Sequence, residues 1–256
     1  MTRLDRVEQS TRGRFAEPPL TPRTAVIWSV LAAELDRRTD VELTVLDVGG
    51  GTGGFAVPLA QAGHRVTVVD ASPDALAALT RRAAEAGVAD RVRAVQGDGD
   101  ALAGLVEPAT VDLVLCHSVL EVVDDPVPVA TALVAALRPG GAASVLVAGR
   151  AAAVLGRAMS GHLTVAAALA AAADGATGPR DTLRRRFDAE GAAALLRAAG
   201  LTVEEIHGVR VLADLLPATV ADGQSAALVE LERSLAGRSP YRDLAAQLHL
   251  FARRPA

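Results

Sequence analysis

Aromatic residues make up only 2% of this 256-residue chain: one Trp, one Tyr and four Phe. A core must therefore be filled by Ala, Val and Leu, and Trp28 and Tyr241 become individually noticeable. Lysine is absent, and all 26 basic residues are arginine, a usage that reads as coding bias rather than function. Cys116 is the single cysteine, which excludes an intrachain disulfide and points to a reducing compartment. No signal-type apolar stretch opens the chain, and the longest apolar run, near 163–173, is too short and Ala-rich to span a bilayer. A cytoplasmic protein is expected. The formal net charge of −4 gives no bulk attraction to nucleic acid or anionic membranes, so any polyanion needs a local patch. Half of the chain is apolar, enough to bury a sizeable core in one domain.

From Leu43 to Ala148, apolar runs of strand length alternate with Ala-rich helical stretches, which predicts βαβ units and a parallel sheet covered on both faces. Strands are expected at 44–48, 65–70, 91–96, 111–116 and 142–148. Ser72-Pro73 supplies a cap and a first-turn proline, and Pro126 and Pro128 do similar work before the helix ending at Arg138. Pro139-Gly140-Gly141 should stop that helix and turn the chain into the fifth strand. Residues 149–186 break the rhythm and read as a cap inserted into a single domain spanning 1–256; solvated connecting helices are the alternative. Beyond them come a helix at 188–199, a strand at 202–211, a helix at 222–236 and a last strand at 244–253. The polar, unpatterned first dozen residues are expected to be mobile.

The most informative stretch is 43–54, an apolar strand running directly into a glycine loop, with Asp70 closing the next strand. Glycines let such a loop turn sharply and bring its backbone against a ligand, while an acid at the second strand tip can accept ribose hydroxyls. This is a nucleotide-cofactor site. Gly49, Gly51 and Gly54 satisfy the dinucleotide pattern G-x-G-x-x-G, a weak signal alone. Asp47, Gly53 and the Leu137-Arg138-Pro139-Gly140-Gly141 segment instead resemble the class I S-adenosylmethionine (SAM) methyltransferases. Branch-level likeness lies in Arg23 with Ile27-Trp28, Gly63-His64, Cys116 to Glu121, Gly208 to Val211, Leu228 to Glu232, and Ser239-Pro240-Tyr241 through Phe251 to Arg253. These resemble the bacterial tRNA 5-carboxymethoxyuridine methyltransferases, which esterify the carboxylate of the modified wobble uridine. Between Gly149 and Asp188, where that family carries aromatics and a lysine-rich run, this chain has alanines and three arginines.

The resemblance implies an α/β fold: a doubly wound, seven-stranded, mostly parallel sheet with an antiparallel last strand and a helical cap. It also assigns roles. Gly49, Gly50, Gly51 and Gly53 would lie along the methionine zwitterion of SAM, and Asp70 would take the ribose hydroxyls; otherwise Asp70 only stabilises the following helix's N-terminus. Asp98, Gly99 and Asp100 would meet the adenine, unless the acids merely cap a short helix. Arg23, expected on the helix of Trp28, would pair with the SAM carboxylate, its alternative being an exposed helix arginine. His117, at a strand tip, is a cofactor contact or a structural histidine, and Glu121 reads as a helix residue without chemistry. Arg210 would bind an anionic substrate group or form a structural ion pair. Arg184, Arg185 and Arg186, with Arg180, would hold tRNA phosphates or form a solvated face.

Methyl transfer from a sulfonium to an ionised carboxylate needs alignment rather than a general base or a metal, so no catalytic residue is assigned and no metal is expected. A small-metabolite acceptor is the second reading, favoured by the lack of aromatics on which anticodon bases could stack. A non-catalytic SAM-binding or regulatory protein is the third. A nicotinamide dehydrogenase is disfavoured by the Leu137–Gly141 segment and the C-terminal strand pair.

Overall fold

The computed structural model describes residues 18, 20–38, 42–176, 181–217, 219 and 225–256. The N-terminal segment expected to be mobile and Arg180 lie outside them. The sheet has seven strands in the order β3-β2-β1-β4-β5-β7-β6. They are β1 (Thr44–Val48), β2 (Arg65–Asp70), β3 (Val92–Gln96), β4 (Val111–His117), β5 (Leu137–Ala148), β6 (Thr202–Val209) and β7 (Gln247–Arg253). Neighbours from β3 to β5 run parallel, and β7 is antiparallel to both β5 and β6. Strand order reverses between β1 and β4, which opens a crevice at their carboxyl ends.

Helices α1 (Ala25–Asp36), α2 (Ala56–Gln61), α3 (Pro73–Glu85), α4 (Pro126–Ala136) and α7 (Ala189–Ala198) cover the faces, with α8 (Ser225–Ala236) beside α1 and β6. Their starts follow the cap chemistry read from the sequence. Ser72 Oγ accepts the Ala75 N–H at 3.2 Å, and Asp125 Oδ1 accepts the Val127 N–H at 2.9 Å, each ahead of a first-turn proline. The two core layers are built as the composition requires. Ile27, Leu31, Leu59, Leu79, Leu113 and Leu115 pack with Trp28 and Phe251 on one face. Leu46, Val114, Leu133, Leu196 and Leu250 fill the other.

Two local readings change. Pro139-Gly140-Gly141 lies within β5, as a bulge that shifts the register from Val111↔Leu137 to Leu113↔Ala142. It pairs with the chain end, the Gly140 N–H donating to Arg254 O and the Arg254 N–H to Gly141 O, both at 2.9 Å, with Gly140 at φ +76°. β6 stops at Val209, two residues early, because Arg210 turns into the left-handed region at φ +61°.

Segment 149–187 leaves β5 and returns to the same point. Gly149 forms a parallel bridge with Phe187, the Arg150 N–H donating to Phe187 O at 2.8 Å and the Phe187 N–H to Ala148 O at 2.9 Å. Between them, α5 (Arg150–Met159) and α6 (Leu163–Ala171) pack as a hairpin. No helix of the described residues is long and apolar enough to cross a membrane.

Candidate active site

The carboxyl ends of β1 to β4 bring the sequence-selected residues to one edge of the sheet. Gly49, Gly51 and Gly53 adopt φ of +70°, +54° and +82°, which L side chains avoid. The loop is also tight. A Cβ on Gly49 would meet Val119 Cγ2 at 2.4 Å, on Gly50 the Asp47 carboxylate at 2.5 Å, and on Gly53 Leu79 Cδ1 at 2.3 Å. Gly54 has open space and no left-handed φ, so the third glycine of the dinucleotide pattern has no steric role here. Asp70 closes the loop from β2: its Oδ2 accepts the Gly51 N–H and its Oδ1 the Ser72 N–H, both at 2.9 Å.

Beneath the loop lies Asp47, only 2% exposed, whose Oδ2 has no hydrogen-bond partner. Burial, with the charge of Asp70 adding to it, pushes its carboxyl up to about 7. A buried acid with an orphaned oxygen under a glycine cradle suits a ligand carrying a positive charge. A methionine-type ammonium fits that description, and a pyrophosphate does not.

Asp98, Gly99 and Asp100, the residues expected at the adenine, follow β3. Asp70 and Gln96 are register partners, and the Gly97 N–H donates to Asp70 O at 3.1 Å, which ties the start of the segment carrying Asp98 to the end of β2. Asp98 is exposed and its backbone O accepts the Ala101 N–H at 3.1 Å, opening the 3₁₀ turn Gly99–Gly104. Gly99 and Asp100 belong to this turn; the side chain of Asp100 lies outside the described residues. Arg23 is exposed in a turn before α1 rather than on the helix. The Thr21 carbonyl accepts the N–H groups of Thr24 and Ala25 at 3.0 and 2.9 Å, which delays the helix to Ala25.

His117 ends β4 and belongs to a buried polar row. Its Nε2 lies 2.9 Å from Ser144 Oγ, which lies 2.8 Å from His249 Nε2, while the His207 ring stacks on His249 with centroids 6.0 Å apart. Burial holds His117 down to about 4 and His249 well below the usual imidazole range, so both are neutral at pH 7. The other edge of His117 meets Phe55 at 4.8 Å, and Phe55 meets Trp28 at 4.9 Å.

Past the end of β4 opens a cavity of about 580 Å³. Ser118 and Glu121 line it; Ser118 stands between His117 and Val119, the two residues nearest a Cβ built on Gly49, and Glu121 lies two residues beyond Val119. The α5 face of Ala152, Ala153, Gly156 and Met159 forms an apolar wall, and Arg210, Asp214, Tyr241 and Gln247 supply polar groups. Glu121 is in a turn, not a helix, and is 2% exposed. Burial, opposed by neighbouring donors and by Arg185, pushes its carboxyl up to about 7, and its Oε2 has no hydrogen-bond partner.

Arg210 makes a two-point ion pair with Asp214. Its unusual backbone is held by Glu232 on α8, fully buried, whose carboxylate accepts the N–H groups of Val211, Leu212 and Ala213, each at 2.8 Å. The arginine run 184–186 is drawn inward. Arg185 donates to Leu120 O and Val123 O at 2.7 Å and to Asp124 O at 2.8 Å, and Arg186 pairs with Asp181 at 2.6 and 3.0 Å. Arg184 is 60% exposed and lies 2.8 Å from Asp124.

Sequence reasoning missed Ser118, Glu121, Glu232 and Gln247 as parts of this region. Only Glu121 and Glu232 carried a signal, as acids inside apolar runs, and nothing local showed what they face. Asp47 was visible in the motif, but not as a buried group with a free oxygen.

A family model described as "Methyltransferase domain" matches residues 45–141. The chain is 30% identical over 252 residues to the tRNA 5-carboxymethoxyuridine methyltransferase of Escherichia coli (strain K12), covering 98% of this chain and 95% of that protein. It is 34% identical over 168 residues to a ubiquinone biosynthesis O-methyltransferase of Xylella fastidiosa (strain 9a5c), covering 65% of this chain and 63% of that one. Among solved structures, an S-adenosylmethionine dependent methyltransferase from Mesorhizobium loti shares the fold, with a TM-score of 0.61 at 19% identity over 90% of this chain and 98% of that chain.

Proposed function

We propose, from the premise that this chain belongs to the class I SAM-dependent methyltransferases, that it methylates a carboxylate oxygen of an acceptor gripped by Arg210. The chain is an enzyme with SAM as its methyl donor. The glycine cradle, Asp47 and Asp70 are the residues that would hold the donor, with Asp98, Gly99, Asp100, Arg23 and His117 around it. When bound, SAM supplies an electrophilic sulfonium methyl. A carboxylate acceptor is already ionised at neutral pH, so the chain's task is alignment, which can be worth roughly 7–11 kcal/mol.

The observation that carries this reading is the backbone of Arg210. A non-glycine residue at φ +61° costs energy, and here three N–H bonds to a buried Glu232 hold the loop that keeps it there. The guanidinium is thereby fixed at the cavity wall, and a substrate carboxylate can replace Asp214 as its bidentate partner. The full-length similarity to a tRNA 5-carboxymethoxyuridine methyltransferase favours the carboxymethoxyuridine of a tRNA wobble position as that acceptor. The test is incubation with SAM and tRNA bearing 5-carboxymethoxyuridine, followed by nucleoside mass spectrometry. Methyl ester formed by wild type and lost in Arg210→Ala supports the reading; no ester with SAM still bound rejects it.

A small acidic metabolite is the second acceptor reading. It is favoured by the apolar α5 wall and by Arg185 and Arg186 being engaged inside the protein, which leaves Arg184 as the outermost of the three guanidiniums.

A further inference from the structure

Five large apolar side chains that this molecule leaves exposed gather at one place. Leu155, Met159, Leu215, Tyr241 and Leu244 are between 42% and 75% exposed, and all five line the cavity past the end of β4. Helix α5 accounts for part of this. None of its residues is buried, yet Ala152, Gly156 and Met159, at spacings of four and then three, turn one face to the cavity. A stripe of that spacing is normally covered by a neighbouring element. Left open around a concave site, it offers surface to an apolar part of a ligand.

The polar lining is gathered on the sheet edge. Val209, the last residue of β6, pairs with Gln247, the Ala246 N–H donates to Arg210 O at 3.3 Å, and Gln247 Nε2 donates to Ser118 Oγ at 3.1 Å. Arg210 and Ser118 are thereby linked through the start of β7, and Ser118 adjoins Val119, which packs on Gly49. The charges nearby leave Arg210 as the place for an anion. Arg186 is committed to Asp181, and burial holds Glu121 toward its neutral form. Among the described residues Tyr241 is the only aromatic in the lining, so the wall offers aliphatic contact rather than platforms for stacking a base.

We propose that this cavity takes carboxylic acids with a saturated, flexible tail, of fatty-acid type, the carboxylate on Arg210 at the sheet edge and the tail along α5, Leu215 and Leu244. This rests on Arg210 gripping the acceptor's carboxylate, and it gives the small acid of the second acceptor reading an aliphatic tail. The transfer moves no proton. A carboxylate oxygen forms the bond to the methyl carbon with a lone pair, the carbon–sulfur bond breaks, and its electron pair stays on sulfur. The product is a neutral methyl ester that offers Arg210 no charge, so the guanidinium returns to Asp214 and the ester is released.

The test uses the full chain with hexanoate, octanoate and decanoate, and with 5-carboxymethoxyuridine, free and in tRNA, as an acid without such a tail. Binding is measured by calorimetry without SAM, and transfer with labelled SAM. Affinity and kcat/KM should rise along the alkanoate series by about fourfold for each methylene buried. A Cβ on Gly156 meets nothing within 4 Å, so Gly156→Leu places a side chain in the path of the tail without strain. It should cut the preference for decanoate over hexanoate by roughly tenfold or more, with SAM affinity and melting temperature retained. Met159→Glu, which sets a charge beside the tail, should act in the same direction, and Arg210→Ala should lose binding of every acid. Alkanoate affinity independent of tail length, or a preference that survives both Gly156→Leu and Met159→Glu, overturns the proposal. So does a wild type that esterifies carboxymethoxyuridine but no alkanoate, which removes the tail and keeps the carboxylate reading. A wild type that binds SAM yet esterifies no acid removes both.

Discussion

A Cβ on Gly50 would lie 2.5 Å from the carboxyl carbon of Asp47, so the loop and the buried acid beneath it share one space. Gly50→Ala must displace either the acid or the loop, with Val68 Cγ1 at 2.9 Å closing the other side. SAM affinity should fall at least tenfold, about 1.4 kcal/mol, by titration calorimetry. Gly54→Ala, in open space, should bind SAM as wild type does. Equal losses in both variants would mean that the loop responds to glycine content rather than to this contact.

Asp47 also gives the fold a pH dependence of defined sign. Its carboxyl titrates near 3.8 in the unfolded chain and near 7 in the folded one, so the folded state binds more protons between those values. Its contribution to stability therefore declines as pH rises from about 4 to about 7 and is constant above. Asp47→Asn should gain stability over wild type progressively across that window, on the order of 4 kcal/mol at its upper end, in ligand-free thermal or urea unfolding. A difference independent of pH would contradict the assignment.

Asp70→Ala removes the acceptor that joins Gly51 to Ser72 and the group proposed for the ribose hydroxyls. SAM binding should weaken by about 1.5–3 kcal/mol. Unchanged affinity in a folded variant would show that Asp70 is only a structural acceptor.

Removing Arg184, Arg185 and Arg186 together tests their inward placement. Arg185 and Arg186 are engaged within the protein, so replacing all three by Ala should change the log–log salt slope of any tRNA binding by at most about 0.7–0.9, one phosphate's worth. A change two or three times larger would mean that these guanidiniums leave their partners to hold phosphates. Arg185→Ala alone should destabilise the fold by about 1.5–3 kcal/mol, because three carbonyls lose a charged donor.

Glu232→Gln exchanges one accepting oxygen for an N–H₂ group that faces backbone donors. Unfolding free energy should fall by about 1–3 kcal/mol, and methyl transfer should fall with it because the Arg210 loop loosens. Full activity with reduced stability would separate Glu232 from the acceptor site.

The sequence by itself determined the sheet, the glycine loop after β1 and the caps, because each depends on short-range rules. A strand that must be buried on both faces reads as a continuous apolar run, a loop that turns repeatedly through the left-handed region needs Gly49, Gly51 and Gly53, and a cap needs Ser72 or Asp125 at one position. Arg23 was misplaced by two residues because a turn held by the Thr21 carbonyl precedes the helix. What Glu121, Ser118, Arg210 and the arginine run face was decided only by the tertiary structure. Glu121 meets Arg184 and Arg185 more than sixty residues later, Ser118 meets Gln247 at a separation of 129, and Arg210 is fixed by Glu232 on another element. A charge run looks the same in sequence whether it faces water or the carbonyls of a distant turn. Only packing chooses between them, since a guanidinium withdrawn from water must find acceptors, and here the turn bearing Glu121 provides them.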